Sequence, residues 1–121
     1  TIRILSYGFA RAEKAYMPEA PIPAAVRALE GAGIQVSDLA AVKTHNPFSV
    51  NDIVFGKALG IEDRIFNNYG CSLIYGHPQG PTVMRLAIEL IEELVLKGGG
   101  YGLVAGCAAG DSGAALVIRV G

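Results

Sequence analysis

Tryptophan is missing from this sequence, and cysteine, histidine and methionine occur only twice each. Two cysteines, Cys71 and Cys107, are too few for a disulfide framework and fit a reducing, cytoplasmic compartment. Charge is also scarce: charged residues make up 17% of the chain and the formal net charge is -1. That leaves no basic field, so nucleic-acid binding is not expected. No apolar run is long enough to span a bilayer; the best candidate, Leu86 to Leu96, is interrupted by Glu89, Glu92 and Glu93. Thr1-Ile2-Arg3 leads straight into a strand-like run, without the basic-then-apolar order of a secretory leader. What the chain does have is apolar residues, 51% of its 121 positions. This suits one domain over residues 1–121 with a sizeable core. The excess points to apolar surface covered by a partner or by another part of a polypeptide.

Ile2 to Gly8 reads as a strand, and Phe9 to Pro21, polar and without a clean period, as a long surface loop. Pro23 suits a first helical turn, Ala24 to Ala32 holds strong helix formers, and Gly33 is a stop. Asp38 to Thr44 reads as a second strand. Ser49 is placed to cap a second helix, with Asp52 three residues on, Val50, Ile53, Val54 and Leu59 as its apolar face, and Gly60 as its end. Arg64 to Cys71 has room for one short strand. The clearest helix is Thr82 to Lys97, where Met84, Ala87, Ile88, Ile91, Leu94 and Val95 recur at three- and four-residue spacing. Two strands, Tyr101 to Gly106 and Ala114 to Val120, then flank a turn-rich Cys107 to Gly113 and form a hairpin. The order βαβαβαββ predicts an α/β layered domain, a mixed β-sheet flanked by helices, with parallel pairs at the early crossovers.

Few residues are equipped for chemistry. His45 closes the second strand and His77 precedes the longest helix, and α/β folds place ligands at strand ends and helix starts. The positive end of a helix disfavours imidazolium, so His77 is expected to be neutral and able to donate one hydrogen bond to a developing oxyanion. The alternative is that each ring simply satisfies loop backbone groups. Cys107 opens a loop of small residues whose backbone N–H groups can form an oxyanion hole. Its thiol can act as acid, base or nucleophile if its pKa is lowered, or it is a buried small hydrophobe. Cys71 reads as packing. No close ligand pair such as C-x-x-C occurs, so no metal site is expected. Asp111 and Ser112 read as turn residues.

These pieces, in order, resemble the C-terminal domain of thiolases over nearly the whole chain. Met17, Pro21-Ile22-Pro23-Ala24 and Ala32-Gly33-Ile34 look like the family's helix start and end. His45-Asn46-Pro47-Phe48 resembles its Asn-Glu-Ala-Phe block, and Asn67 to Cys71 its Asn-x-x-Gly-Gly turn. Gly76-His77-Pro78-Gln79-Gly80 resembles Gly-His-Pro-Leu-Gly, and Cys107 to Gly113 the closing Cys-x-Gly-Gly-Gly-x-Gly loop. The resemblance implies an acyl-CoA acyltransferase that cleaves 3-oxoacyl-CoA with coenzyme A or condenses two acyl-CoAs, with coenzyme A as substrate and no separate cofactor.

Residue by residue, it implies that Cys107 moves the proton of the acyl α-carbon and that His77 activates a nucleophilic cysteine. His45 stands where many thiolases have asparagine, at an oxyanion hole. Ala109 and Gly110, with Gly76 and Asn67, fall on oxyanion and substrate-binding positions. Arg11 and Lys14 are the loop cations available to coenzyme A phosphates. The departures Asn46-Pro47, Gln79, Pro81-Thr82-Val83 and Asp111 mark a divergent branch. Neither cysteine matches the family's nucleophile, which belongs to an N-terminal half. The expected partners are therefore that half, in the same or a separate chain, the acyl-CoA thioester, and further copies in a homo-oligomer such as a dimer. The alternatives are a non-catalytic or small-subunit module of the same fold, and a ketoacyl-synthase relative, against which Cys107 argues.

Overall fold

The computed structural model describes every residue, Thr1–Gly121. Four strands, β1 (Ile2–Arg11), β2 (Leu39–Thr44), β3 (Gly100–Ala108) and β4 (Ser112–Val120), form one sheet in the order β1-β4-β3-β2. β4 is antiparallel to both its neighbours, and β2 and β3 are parallel. The helices are α1 (Pro21–Ala32), α2 (Ser49–Leu59), the single turn α3 (Ser72–Tyr75) and α4 (Thr82–Leu96). The expected mixed sheet flanked by helices is present, with two corrections. β1 and β2 are not partners, because the closing hairpin inserts β4 and β3 between them. The anticipated strand within Arg64 to Cys71 is a single parallel bridge, Phe66 to Val42. Positive φ at Asn67 (51°), Tyr69 (68°) and Gly70 (121°) then turns the chain off the sheet.

β1 runs three residues further than the pattern of its side chains suggests. Phe9, Ala10 and Arg11 pair with Ala114, Gly113 and Ser112, so the expected loop from Phe9 starts only after Arg11. Two features hide the strand. The register breaks at Leu5, between Ile4 and Ser6, which disrupts the two-residue period. The face toward α1 then uses the small residues Ser6, Gly8 and Ala10, while Tyr7 and Phe9 point the other way and are exposed. Small residues are required because α1 lies very close: a Cβ on Gly8 would sit 1.9 Å from the Ala24 carbonyl oxygen.

Helix boundaries follow local chemistry. α1 begins at Pro21, whose missing N–H is no loss in a first turn. It ends at Gly33 (φ 68°), with Ile34 N–H reaching back to the Leu29 carbonyl, a Schellman closure. α2 closes the same way at Gly60, and α4 at Gly98. Ser49 is not the cap of α2; that position is Phe48, whose N–H donates to the Asn51 Oδ1 at 3.3 Å. Asp52 is thereby freed for a different task.

The sheet carries a core on each face. On one, Ala24, Ala25, Ala28 and Leu29 of α1 and Phe55 of α2 pack on Val42, Leu103, Ala105, Ala115 and Val117. On the other, Leu86, Leu90 and Leu94 of α4 pack on Ala41, Val104 and Ile118. α4 covers β2 and β3 but leaves β1 bare, so Ile4 (66%), Tyr7 (78%) and Phe9 (59%) stand exposed on that side.

Candidate active site

The C-terminal ends of the parallel strands β2 and β3 lie side by side, and the chain enters α2, α3 and α4 around them. His45 follows β2 directly, and its N–H extends the ladder to the Ala105 carbonyl at 2.9 Å. Its ring sits beside β3 where Gly106 leaves space; a Cβ there would lie 3.1 Å from the His45 Cβ. Cys107 is the next residue along β3. The structure therefore places it inside a strand, not in the connecting loop, which is only Ala109 to Asp111. His77, in the segment between α3 and α4, completes the group: its ring centroid is 4.2 Å from that of His45, at a tilt of 39°. His45, His77, Cys107 and Ala109 line one cleft of about 240 Å³, walled by Met17, Pro47, Phe48 and Ala108.

Each ring is held through Nδ1. His77 Nδ1 lies 2.8 Å from the Thr82 Oγ1 in the first turn of α4. That hydroxyl donates its own proton to the Pro78 carbonyl at 2.7 Å, so it accepts from His77. His77 is thus protonated on Nδ1, which in the neutral ring leaves the lone pair on Nε2, the arrangement of a base. His45 is 4% exposed, and its Nδ1 meets the Ser72 Oγ at 2.9 Å. Burial, then the neighbouring His77 and Arg85, lower its pKa to about 4, so it is neutral at physiological pH.

Cys107 is buried, and burial pushes its thiol above the ordinary value. The lowered pKa that a resting nucleophile needs is therefore not what the structure provides. The resting group is a neutral thiol that gains a proton-transfer role only when something favours its anion. Asn51 is placed to do so. Its Nδ2 points at the Cys107 Sγ from 3.7 Å, while its Oδ1 is fixed by the Phe48 N–H, which sets the orientation of the amide. Asn51 is 3% exposed and faces the thiol from α2. No local signal in the sequence singles out Asn51.

A polar frame holds the strand end. Asp52 Oδ1 accepts from Thr44 Oγ1 at 2.6 Å, and its Oδ2 accepts from Asn46 Nδ2 and from Asn67 Nδ2 at 3.1 Å. Asn67 also accepts from the Thr44 N–H and donates to the Thr44 hydroxyl, each at 2.8 Å. Asn67 therefore lies behind the cleft and clamps the segment that carries His45; it does not line the cavity. Next to it, Lys43 and Glu93 form a fully buried ion pair at 2.9 Å, with Lys97 2.7 Å and Asn68 2.9 Å from the same carboxylate. Burial alone would raise the Glu93 pKa, but hydrogen bonds from Lys97, Asn68 and Lys43 outweigh it and hold the carboxyl below its usual range. This is the expected pattern for a buried charge that survives by pairing.

Gly76 and Gly110 shape the surroundings from outside the cavity. Gly76, at φ 78°, ends α3 with its N–H on the Ser72 carbonyl at 2.9 Å and so turns the chain toward His77. Gly110 offers its carbonyl to Arg11 Nη2 at 3.0 Å, which ties the hairpin to the end of β1 and occupies that cation. Both cysteines are free thiols. No group of three or more His, Cys, Asp or Glu side chains is arranged to hold a metal, and no helix is long and apolar enough to cross a membrane. A larger cavity of about 450 Å³ lies between α1 and α2, lined by Val26, Leu29, Ile34 and Leu59, with Glu30 and Gln35 as its polar side chains and no histidine or cysteine.

Fold and cleft together define an α/β domain that gathers two imidazoles and a buried thiol at the ends of parallel strands. A family model described as the C-terminal domain of thiolases matches residues 1–120, and the chain belongs to the thiolase family as that domain. Among curated proteins it is 36% identical to the beta-ketothiolase BktB of Cupriavidus necator, with 97% of this chain and 30% of that protein covered. It is also 36% identical to a 3-ketoacyl-CoA thiolase of Escherichia coli, with 76% of this chain and 25% of that one covered. Human mitochondrial 3-ketoacyl-CoA thiolase, solved in complex with CoA, superposes with a TM-score of 0.95 at 28% identity, over 99% of this chain and 30% of that one. The chain thus spans between a quarter and a third of the length of these relatives.

Proposed function

We propose that the chain supplies the acid–base part of the active site of a thiolase-type acyltransferase acting on acyl-CoA thioesters. The observation that carries this reading is the convergence of His45, His77 and the Cys107 thiol on one cleft whose remaining walls are small or apolar. The nucleophilic cysteine belongs to an N-terminal half of the same or another polypeptide. That half has a landing surface: the bare side of β1 with Ile4, Tyr7 and Phe9, continued by Met84, Ile88 and Val95 on α4. The free thiols Cys71 and Cys107 suit a reducing compartment such as the cytoplasm, and a homo-oligomer, with a dimer as the simplest closed form, completes the assembly.

The steps divide among the residues. His77, with its Nε2 lone pair, takes the proton of the nucleophilic thiol, whose sulfur is acylated as coenzyme A leaves. Cys107, as thiolate supported by the Asn51 amide, removes a proton from the α-carbon of a second acyl-CoA. The carbanion forms the new carbon–carbon bond at the enzyme-bound acyl carbonyl, and the nucleophilic sulfur departs with its electron pair. Read backwards, the same groups cleave 3-oxoacyl-CoA: Cys107 returns the proton to the departing carbanion. Donors at His45 and at the backbone of Ala109, both of which line the cleft, serve the thioester oxygens as charge develops.

The test is a pair of partial reactions in the complete enzyme. Cys107→Ala is expected to keep acylation of the nucleophile, read as a mass increase on the protein, and to lose condensation. His77→Ala is expected to impair both. Normal condensation in the first variant, or normal acylation in the second, would overturn the assignment.

A further inference from the structure

Ser72 is the candidate that the mechanism above leaves without a task. It opens α3, is 4% exposed, and its hydroxyl has one recorded partner, the Nδ1 of His45 at 2.9 Å. A hydroxyl carries a single proton, and a neutral imidazole carries its proton on one of two nitrogens. If His45 held its proton on Nδ1, the Ser72 proton would be left buried with no acceptor. If Ser72 donates to Nδ1, both groups are satisfied by one bond, and the imidazole proton must sit on Nε2. The contrast with His77 is direct. There the Thr82 hydroxyl spends its proton on the Pro78 carbonyl and is an acceptor, so that ring is protonated on Nδ1.

We propose that Ser72 is a positioning residue that sets His45 in the Nε2–H tautomer, so that the two neighbouring rings present opposite faces to the cleft. One hydroxyl donates and the other accepts; one Nε2 is therefore a hydrogen-bond donor and the other a base. This rests on the acyltransferase reading for its use, but not for its chemistry. A donor at His45 can serve an oxyanion, and a lone pair there would repel it. With both rings protonated on Nδ1, the cleft would offer two bases and no imidazole donor. The geometry reinforces the division, because centroids only 4.2 Å apart disfavour a state with both rings charged. Ser72 acts through His45 and does not line the cavity.

The experiment uses the complete polypeptide labelled with ¹⁵N-histidine and no substrate, with long-range proton–nitrogen correlations read at neutral pH. The His45 signals are assigned by their loss in His45→Gln. In the wild type, His45 Nδ1 is expected to resonate as a bare, pyridine-type nitrogen and Nε2 as a protonated one, with His77 reversed. Ser72→Ala is expected to shift His45 toward the other tautomer or an average of both, and Ser72→Thr to restore the wild-type pattern. A protonated Nδ1 on His45 in the wild type would overturn the proposal, even if the alanine variant fails to fold. So would an unchanged His45 pattern in a folded Ser72→Ala protein. Because no turnover is involved, loss of the acyltransferase reading would show separately: the tautomers would stand while the complete enzyme failed to transfer acyl groups.

Discussion

The two faces of the sheet are built to different standards. Toward α1 the surface is finished: Gly8 lets the helix nearly touch the strand, and the apolar cluster runs without a break from Ala10 through Leu29 to Val117. Toward α4 it is half built. Leu86, Leu90 and Leu94 seal β2 and β3, and the rest of that face, Ile4, Tyr7 and Phe9 on β1, is turned to solvent. A chain that packs one face so closely and leaves aromatic residues bare on the other is shaped for more protein on the open side. The cleft lies at the strand ends, where a neighbour on that side could reach it.

The largest expected effect breaks the comparison directly. Tyr7→Ala combined with Phe9→Ala should cost the complete enzyme roughly 3–6 kcal/mol, from two large side chains that become buried in it. Chemical denaturation of the complete enzyme checks this; a loss near zero would mean that the open face stays open. On the sealed part of the same face, Glu93→Gln leaves Lys43 buried without its partner and should cost about 3–5 kcal/mol. The pH dependence has a definite sign. The folded-state Glu93 pKa is depressed, so its contribution is present above the unfolded carboxyl value of 4.5 and fades as pH falls through the lower folded value. The stability gap between wild type and Glu93→Gln should therefore narrow only in acid, which unfolding curves from pH 7 downward would show.

Smaller effects sharpen the account at the cleft. Asn51→Leu removes the amide that faces the Cys107 sulfur, and a hydrogen bond to a charged group is worth about 1.5–3 kcal/mol. Condensation should fall by roughly ten- to a hundredfold with acylation unchanged. Equal losses in both partial reactions would point instead to a general disturbance of α2. The last is a titration. The His45 pKa is lowered from 6.5 to about 4, so the unfolded chain binds the extra proton first, and stability should rise with pH across that window. Proton NMR should show His45 unprotonated at pH 5; a midpoint near 6.5 would contradict its burial.

How much of this could be read from residues alone depended on whether local spacing carried the information. α4 was legible as a helix because its apolar residues recur at helical spacing, but the side it buries is Leu86, Leu90 and Leu94, while Met84, Ile88 and Val95 of the expected face are exposed. α1 and α2 were legible because Gly33 and Gly60 end them, although α2 buries Phe55 and leaves Val50 and Ile53 of its expected face exposed. The closing hairpin was legible from two apolar runs around Gly110 and Asp111, although Cys107 and Ala108 proved to belong to the strand. β1 was read short because a bulge at Leu5 and an inverted pattern, small residues inside and aromatics outside, removed the alternation that marks a strand. A strand expected near Phe66 reduced to one bridge because Asn67 and Tyr69 adopt left-handed backbone there.

At the cleft, His45, His77 and Cys107 stood out as rare residue types at element ends, and the structure brings them together. Asn67 stood in the family's pattern but turned out to brace Thr44 and Asp52 from behind. Asn51 and Ser72 were invisible in the sequence, because their partners are 56 and 27 residues away and nothing in their own neighbourhoods announces the contact.

The most direct test of the central claim follows a single proton. The complete enzyme, wild type and Cys107→Ala, is incubated with acetyl-CoA in deuterium oxide, and deuterium in the acetyl methyl group is read by mass spectrometry beside acylation of the nucleophile. The account predicts exchange in the wild type and a loss of roughly 10²–10⁴-fold in Cys107→Ala, the range for removal of a general base, with acylation retained. Exchange at the wild-type rate in Cys107→Ala would contradict it and assign the α-proton to another residue.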